Sequence, residues 1–238
     1  RWVTHLCAPT FVFLMGAMVC LQFLSKPQTT RRFLASRGVW LILLETTWIS
    51  FCWDWNLTST ILGVLWALGG SMVLLALVVG RMGHHRWIGL LGLAAIIGLE
   101  VAAIKPGHGF TQLLFQPGGM TVFGHRVGGS YALLPWAAVA ALGYGMGPWI
   151  VGARRRDLAV AGSCALVVFV GYRWLQWTDP NPWVERGELW LTAADFANPS
   201  KYPPSICYVL MTLGVALLWL AGPARSVGRI NRVLETFG

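Results

Sequence analysis

An all-α, polytopic membrane bundle of about seven helices is what this chain predicts, and three observations carry the expectation. Of its 238 residues, 56% are hydrophobic and only 11% charged, a balance far from that of ordinary soluble domains. The apolar residues fall in runs of about 20, the length that spans a hydrocarbon core. Lys and Arg gather in the short loops between those runs, and most of the 14 Trp stand at run ends, Trp2, Trp53, Trp55, Trp87, Trp136 and Trp177 among them. Residues 1–238 therefore read as one transmembrane domain.

The net charge of +9 would point to nucleic acid in a soluble chain. Here it follows the positive-inside distribution, so the expected surroundings are a lipid bilayer and no nucleic-acid partner is predicted. The five cysteines, Cys7, Cys20, Cys52, Cys164 and Cys207, lie inside apolar runs without C-x-x-C or Cys/His spacing. They predict small core residues, with neither a disulfide framework nor a metal site.

Taken in order, the first span covers residues 4–24 and is followed by the basic segment KPQTTRR. The second covers 34–53, with Glu45 near its centre and Trp53, Asp54 and Trp55 at its far end. The third covers 58–80 and ends at RMGHHR, where His84 and His85 lack the i, i+4 spacing of a helical metal site. The fourth, 87–104, contains Glu100. Residues 105–130, rich in Gly and carrying His108, His125 and Arg126, are too polar to span and too long for a simple turn. The fifth span, 131–151, has Gly143 and Gly147 at the spacing that lets helices approach closely, and ends at ARRRD. The sixth, 158–177, carries Arg173 in its last third; a second long polar loop, 178–202, follows it. The seventh, 203–222, precedes a tail with Arg225, Arg229 and Arg232.

Placing the basic loops inside, as the positive-inside rule requires, puts both long loops and the starts of the first and seventh spans on the outer face. An ionisable group in a membrane costs about 2.5 to 3.5 kcal/mol on insertion scales, so it faces a protein interior or water. His5, Asp54, Glu100 and Arg173 fall in the outer third or at the outer edge, with Glu45 deeper. They predict a cavity opening outward, floored by Glu45 and roofed by loops holding His108, His125, Asp195 and Lys201. A plainer reading pairs Glu100 with Arg173 as a structural ion pair and leaves His5 as a satisfied interfacial histidine. In NPSKYPPSICYVLMTLG, residues 198–214, a polar loop turns into an apolar helix: Lys201 and Tyr202 stand beside Pro203 and Pro204, prolines tolerated in a first turn. The positive end of that helix, with Lys201 beside it, would face an anion.

Four segments, THLCAPTFVFLMG (4–16), RGVWLILLETTW (37–48), LLPWAAVAALGYGMG (133–147) and NPSKYPPSICYVLMTLG (198–214), resemble the bacterial relatives of heparan-alpha-glucosaminide N-acetyltransferase. The resemblance covers nearly the whole chain and keeps the motif order. It implies a multi-helix acyltransferase of the bacterial inner membrane. Acetyl-CoA, the donor on the cytoplasmic side, would give its acetyl group to a small-molecule or glycan acceptor, often a sugar, on the other side, without a metal.

In the lysosomal enzymes the histidine proposed to act at the acetyl group lies shortly before the segment resembling Pro9 to Gly16, a region that would precede Arg1. The chain is accordingly expected to be a fragment lacking a first helix, and His5 is the nearest candidate within it. Thioester acyl transfer needs a base and an oxyanion stabiliser. The expected catalytic set is His5, Glu45, Asp54 and Glu100, with His5 as base oriented by Asp54 or Glu100. Arg173, Lys201, Tyr202, His125 and Asp195 are expected to bind substrate, with Arg173 or Lys201 as stabiliser. The rival class is a transporter-like bundle using the same groups as a polar path; two long outer loops and no evident inverted repeat weigh against it. A structural subunit of an assembly, and an oligomer, stay open.

Overall fold

The computed structural model describes residues 2–55, 58–82, 84–102, 109–176 and 178–222; His108, Trp177 and the tail arginines Arg225, Arg229 and Arg232 lie outside them. The first helix, α1 (Trp2–Ser25), hands over at Lys26 to α2 (Pro27–Leu44). Pro27 occupies the first helical position, where its missing N–H removes nothing. The segment read as a basic loop is thus already helical from Pro27, and the second helix begins earlier than expected.

At Glu45 the helix widens into one π-helical turn, Glu45–Ile49, and continues as α3 (Ser50–Asp54) until Trp55 turns left-handed at φ 50°. The Thr46 and Thr47 hydroxyls donate to the Ile42 and Leu43 carbonyls at 2.9 and 2.6 Å, re-satisfying backbone that the wider turn frees.

The start of the third predicted span is not helical. Residues Ser59–Leu62 form strand β1, and only after Gly63 does α4 (Val64–Val78) begin. Helix α5 (His85–Val101) starts with the His84 ring nitrogen accepting from the Arg86 amide at 3.3 Å. The segment read as a Gly-rich loop contains α6 (Phe110–Phe115) and a hairpin of β2 (Gly118–Val122) and β3 (His125–Gly129). Phe123 and Gly124 both take positive φ, 50° and 80°, as a two-residue hairpin turn of the primed kind demands. β3 pairs antiparallel with β2 and parallel with β1, giving the order β1-β3-β2.

Helix α7 (Leu133–Gly152) is the centre of the bundle, packed against α1, α4 and α5. Small residues make this possible. A Cβ added at Gly143 would lie 2.0 Å from the Phe13 carbonyl oxygen, one at Gly147 2.7 Å from that of Ala17, and one at Gly16 2.0 Å from that of Ala140. The Gly143 and Gly147 spacing is therefore a backbone-to-backbone contact with α1. Helix α8 (Arg155–Leu175) packs on α10 (Ile206–Ala221), which also touches α1; the short α9 (Leu189–Phe196) lies in the loop between them.

Helices dominate the fold. Among the described residues three, over His5–Ser25, Leu133–Gly152 and Arg155–Leu175, are long and apolar enough to cross a membrane; α4 and α10 are apolar but shorter.

Candidate functional site

Two of the charges placed in the membrane by sequence are helix caps. Glu45 is only 4% exposed. Its Oε2 accepts from the Leu65 and Trp66 amides at 2.6 and 3.1 Å. Those are first-turn N–H groups of α4, whose Gly63 supplies no side-chain cap and sits under the same carboxylate, with an added Cβ 2.8 Å from Oε1. Glu100, at the end of α5, does the same for α10: its Oε2 accepts from the Ile206 amide at 2.5 Å and its Oε1 from the Thr178 hydroxyl at 2.9 Å. A carboxylate and the unpaired N–H groups of a helix's first turn are each costly away from water, and each satisfies the other here.

The anion at the positive end of α10 (Ile206–Ala221) is therefore the protein's own Glu100. The helix also begins later than expected, at Ile206, because Ser205 caps it by accepting from the Tyr208 amide at 3.1 Å. Pro203 and Pro204 belong to the preceding turns, and the Tyr202–Pro203 bond is cis.

The Glu100–Arg173 ion pair of the plainer reading does not form. Arg173 is fully buried and pairs with Asp179, itself fully buried at its side chain. The remaining guanidinium donors reach the carbonyls of Phe196 (2.9 Å), Asn181 (2.6 Å) and Asp195 (3.1 Å), which gather the 178–202 loop onto the end of α8. Planar, multi-donor geometry suits Arg to this role. Asp195 is held in turn by the Val184 amide at 2.8 Å and the Arg186 guanidinium at 3.0 Å; these bonds keep its carboxyl below the ordinary carboxylate range.

Around these supports lie three cavities. One of about 480 Å³ brings His5 together with Arg186, Leu191, Asp195 and Asn198. His5 also packs its ring edge-on to Tyr208 at 5.9 Å and receives the Tyr208 hydroxyl on its carbonyl at 2.7 Å. A second, about 610 Å³, is lined by Glu100, Thr178, Ser200 and Tyr202. The third, about 850 Å³, is lined by Trp53, Arg126, Tyr131 and Tyr202 with residues of β1 and β3. Tyr202 belongs to both of the last two. Its ring meets Tyr131 edge-on at 5.0 Å, its hydroxyl donates to that of Tyr131 at 3.2 Å, and the Lys201 ammonium lies 5.0 Å from its centroid.

The sequence-predicted residues thus divide. His5 and Asp195 share a cavity; Glu100 and Tyr202 share another; Lys201 backs the tyrosine pair. His125 bonds across the sheet, its Nε2 2.8 Å from the Thr60 hydroxyl. Asp54 takes a hydrogen bond from Ser59. Glu45 sits against the first turn of α4. Sequence reasoning missed Asp179 and Tyr131. The turn motif TDPNP was the available signal for Asp179, since Asp-Pro pairs mark turns with a side chain bound back to backbone. Among the described residues no three His, Cys, Asp or Glu side chains converge as a metal-binding group.

The family model described as heparan-alpha-glucosaminide N-acetyltransferase, catalytic, matches residues 1–176. Comparison with curated proteins and with solved structures returns no match.

Proposed function

Because the chain belongs to the heparan-alpha-glucosaminide N-acetyltransferase catalytic family, we propose that it is a membrane-embedded acetyltransferase carrying acetyl from acetyl-CoA to an extracytoplasmic acceptor such as a sugar. The observation that carries this reading is the family match itself, which takes in α1 to α8. The three membrane-length apolar helices fit it. We assign the protein to the bacterial inner membrane, with about seven spans and the Arg-rich loops facing the cytoplasm.

The three cavities cluster where the acceptor would enter, around the start of α1, the end of α5 and the start of α10. Tyr131, Tyr202 and Trp53 offer aromatic faces to the apolar side of a sugar ring, Arg126 supplies a cationic hydrogen-bond donor, and Lys201 stands over the tyrosine pair. His5 acts as general base. It removes the proton from an acceptor hydroxyl or amine as that atom attacks the thioester carbonyl. The tetrahedral oxyanion then collapses, the C–S bond breaks, and coenzyme A leaves as thiolate. Asp195 and Arg186, in the cavity with His5, set the field around the imidazole.

The test of this assignment is acetyl transfer by the full natural protein and by its His5→Asn form. Loss of a general base lowers kcat by about 10²- to 10⁴-fold with KM for acetyl-CoA little changed. An unaltered kcat would place the base elsewhere.

A further inference from the structure

Leu99 lines two spaces at once, the second cavity and an open apolar groove of about 400 Å³ that leads away from it between α4 and α5. Both helices pack on α7, and the groove is what they leave between them. Gly92 lets α5 settle onto α7: a Cβ added there would lie 2.6 Å from the Ala138 carbonyl oxygen. Leu74 and Val78 of α4 and Leu91 and Ala95 of α5 then form the walls, and Ala137 and Ala141 of α7 the floor. Among the described residues lining it Ser71 alone is polar, and its hydroxyl is turned back onto the Ala67 carbonyl at 2.6 Å. From Ile88 to Leu99 the groove extends about 16 Å at 1.5 Å rise per residue. That is the depth of one leaflet in a hydrocarbon core of about 30 Å.

The other end has a different chemistry. Glu100, Gln116, Thr178, Ser200 and Tyr202 line the second cavity, and among its described lining residues there is no Lys, Arg or His. The hydroxyls already donate within the protein: Thr178 to Glu100 at 2.9 Å, Ser200 to the Pro203 carbonyl at 3.3 Å and Tyr202 to the Tyr131 hydroxyl at 3.2 Å. What they offer a ligand is acceptor capacity. The prolines of the wall, Pro117, Pro180, Pro203 and Pro204 among them, have no N–H to donate. A surface of acceptors repels a phosphate and suits a head that brings several O–H donors of its own.

We propose that cavity and groove form one site for an uncharged glycolipid, with the sugar in the cavity and a hydrocarbon chain in the groove. Continuity through Leu99 ties the two halves together. A soluble sugar has no use for the groove, and an anionic phospholipid finds no cation in the cavity. This inference rests on the acetyltransferase reading for one point only: the glycolipid is then the acceptor, presented from the outer leaflet. A sugar without the chain fits the same cavity with lower affinity.

The experiment uses the full natural protein in phosphatidylcholine nanodiscs and, as probe, dodecyl β-glucoside carrying a diazirine at its chain end. Photolabel should appear on residues 88–95 and 137–141, and unlabelled dodecyl β-glucoside should compete for it. Methyl β-glucoside and dodecyl phosphate should each compete more weakly, by about ten-fold or more. A side chain at Gly98 meets nothing within 4 Å and projects where the groove runs, so Gly98→Phe should fold as the parent does and cut labelling about ten-fold. Gly171→Phe, equally open but on α8 outside both spaces, should label as the parent does. Labelling that ignores Gly98→Phe, or falls as far in Gly171→Phe, overturns the site. Equal competition by dodecyl phosphate, which would mean a groove filled by any lipid, or by methyl β-glucoside also overturns it. If the predicted labelling occurs in a protein that transfers no acetyl group, the site stands and the reaction falls. If acetyl transfer shows the same KM for methyl and dodecyl β-glucoside and is unchanged in Gly98→Phe, the reaction stands and this site falls.

Discussion

Glu45, Glu100 and Arg173 were legible in the sequence as charges that a membrane makes costly, but not as what they satisfy. Depth along a helix says which charges share a layer, and on that basis Glu100 and Arg173 paired. The partners are backbone groups and a turn residue. Glu45 and Glu100 bond to helix starts far along the chain, and Asp179 lies six residues past Arg173 in a loop whose path depth does not describe. Removing one member of a buried pair strands the other, a loss of about 3 to 5 kcal/mol. Arg173→Met and Asp179→Asn should each lower thermal stability strongly in detergent, and the double variant should recover part of it. Equal stability in all three would mean the 178–202 loop is held by other contacts. Asp195 gives a pH dependence of defined sign. Because its folded-state carboxyl is held below the ordinary value of 3.8, the stability it confers is complete above that value. It is lost only as pH falls through the depressed folded value. Proteolysis of the 178–202 loop should therefore stay constant from neutral pH down to about pH 4 in the parent, whereas Asp195→Asn should be cleaved faster throughout.

Long apolar runs made α1, α7 and α8 readable, and Gly143 with Gly147 marked a close helix contact before any coordinates. The sheet was not readable. Ile61 and Leu62 run straight into the apolar start of α4, so period alone cannot separate strand from helix. What makes Ser59–Leu62 a strand is a parallel partner, Arg126 to Gly129, more than sixty residues on. The hairpin escaped notice because its turn is Phe123–Gly124 rather than the usual Asn-Gly. Beginning α4 after a strand also shortens it to 15 residues, about 22 Å, and leaves first-turn N–H groups that Glu45 satisfies. The α1–α7 contact is the element-level feature most exposed to mutation. Gly143→Val has no room against the Phe13 backbone and should cost about 3 kcal/mol or more, read as a fall in melting temperature, whereas Gly152→Val, which meets nothing within 4 Å, should leave it near the parent value.

At the scale of the whole molecule, the two ends of the bundle differ in kind. One carries aromatic, acidic and hydrogen-bonded loops around three cavities; the other carries arginines around a fourth. That polarity was legible early, since charge distribution along a membrane chain records sidedness. The cavities were not, because they arise where short helices and the sheet leave the bundle unfilled. Acetyl transfer from one face to the other is the behaviour such a molecule is proposed to have, and sidedness is its most direct test. Inside-out vesicles carrying the full natural protein, with an amino sugar trapped in the lumen, should move label from acetyl-CoA added outside onto the luminal sugar. Label found only on sugar added to the outer solution, or no label on either, would contradict transfer across the membrane.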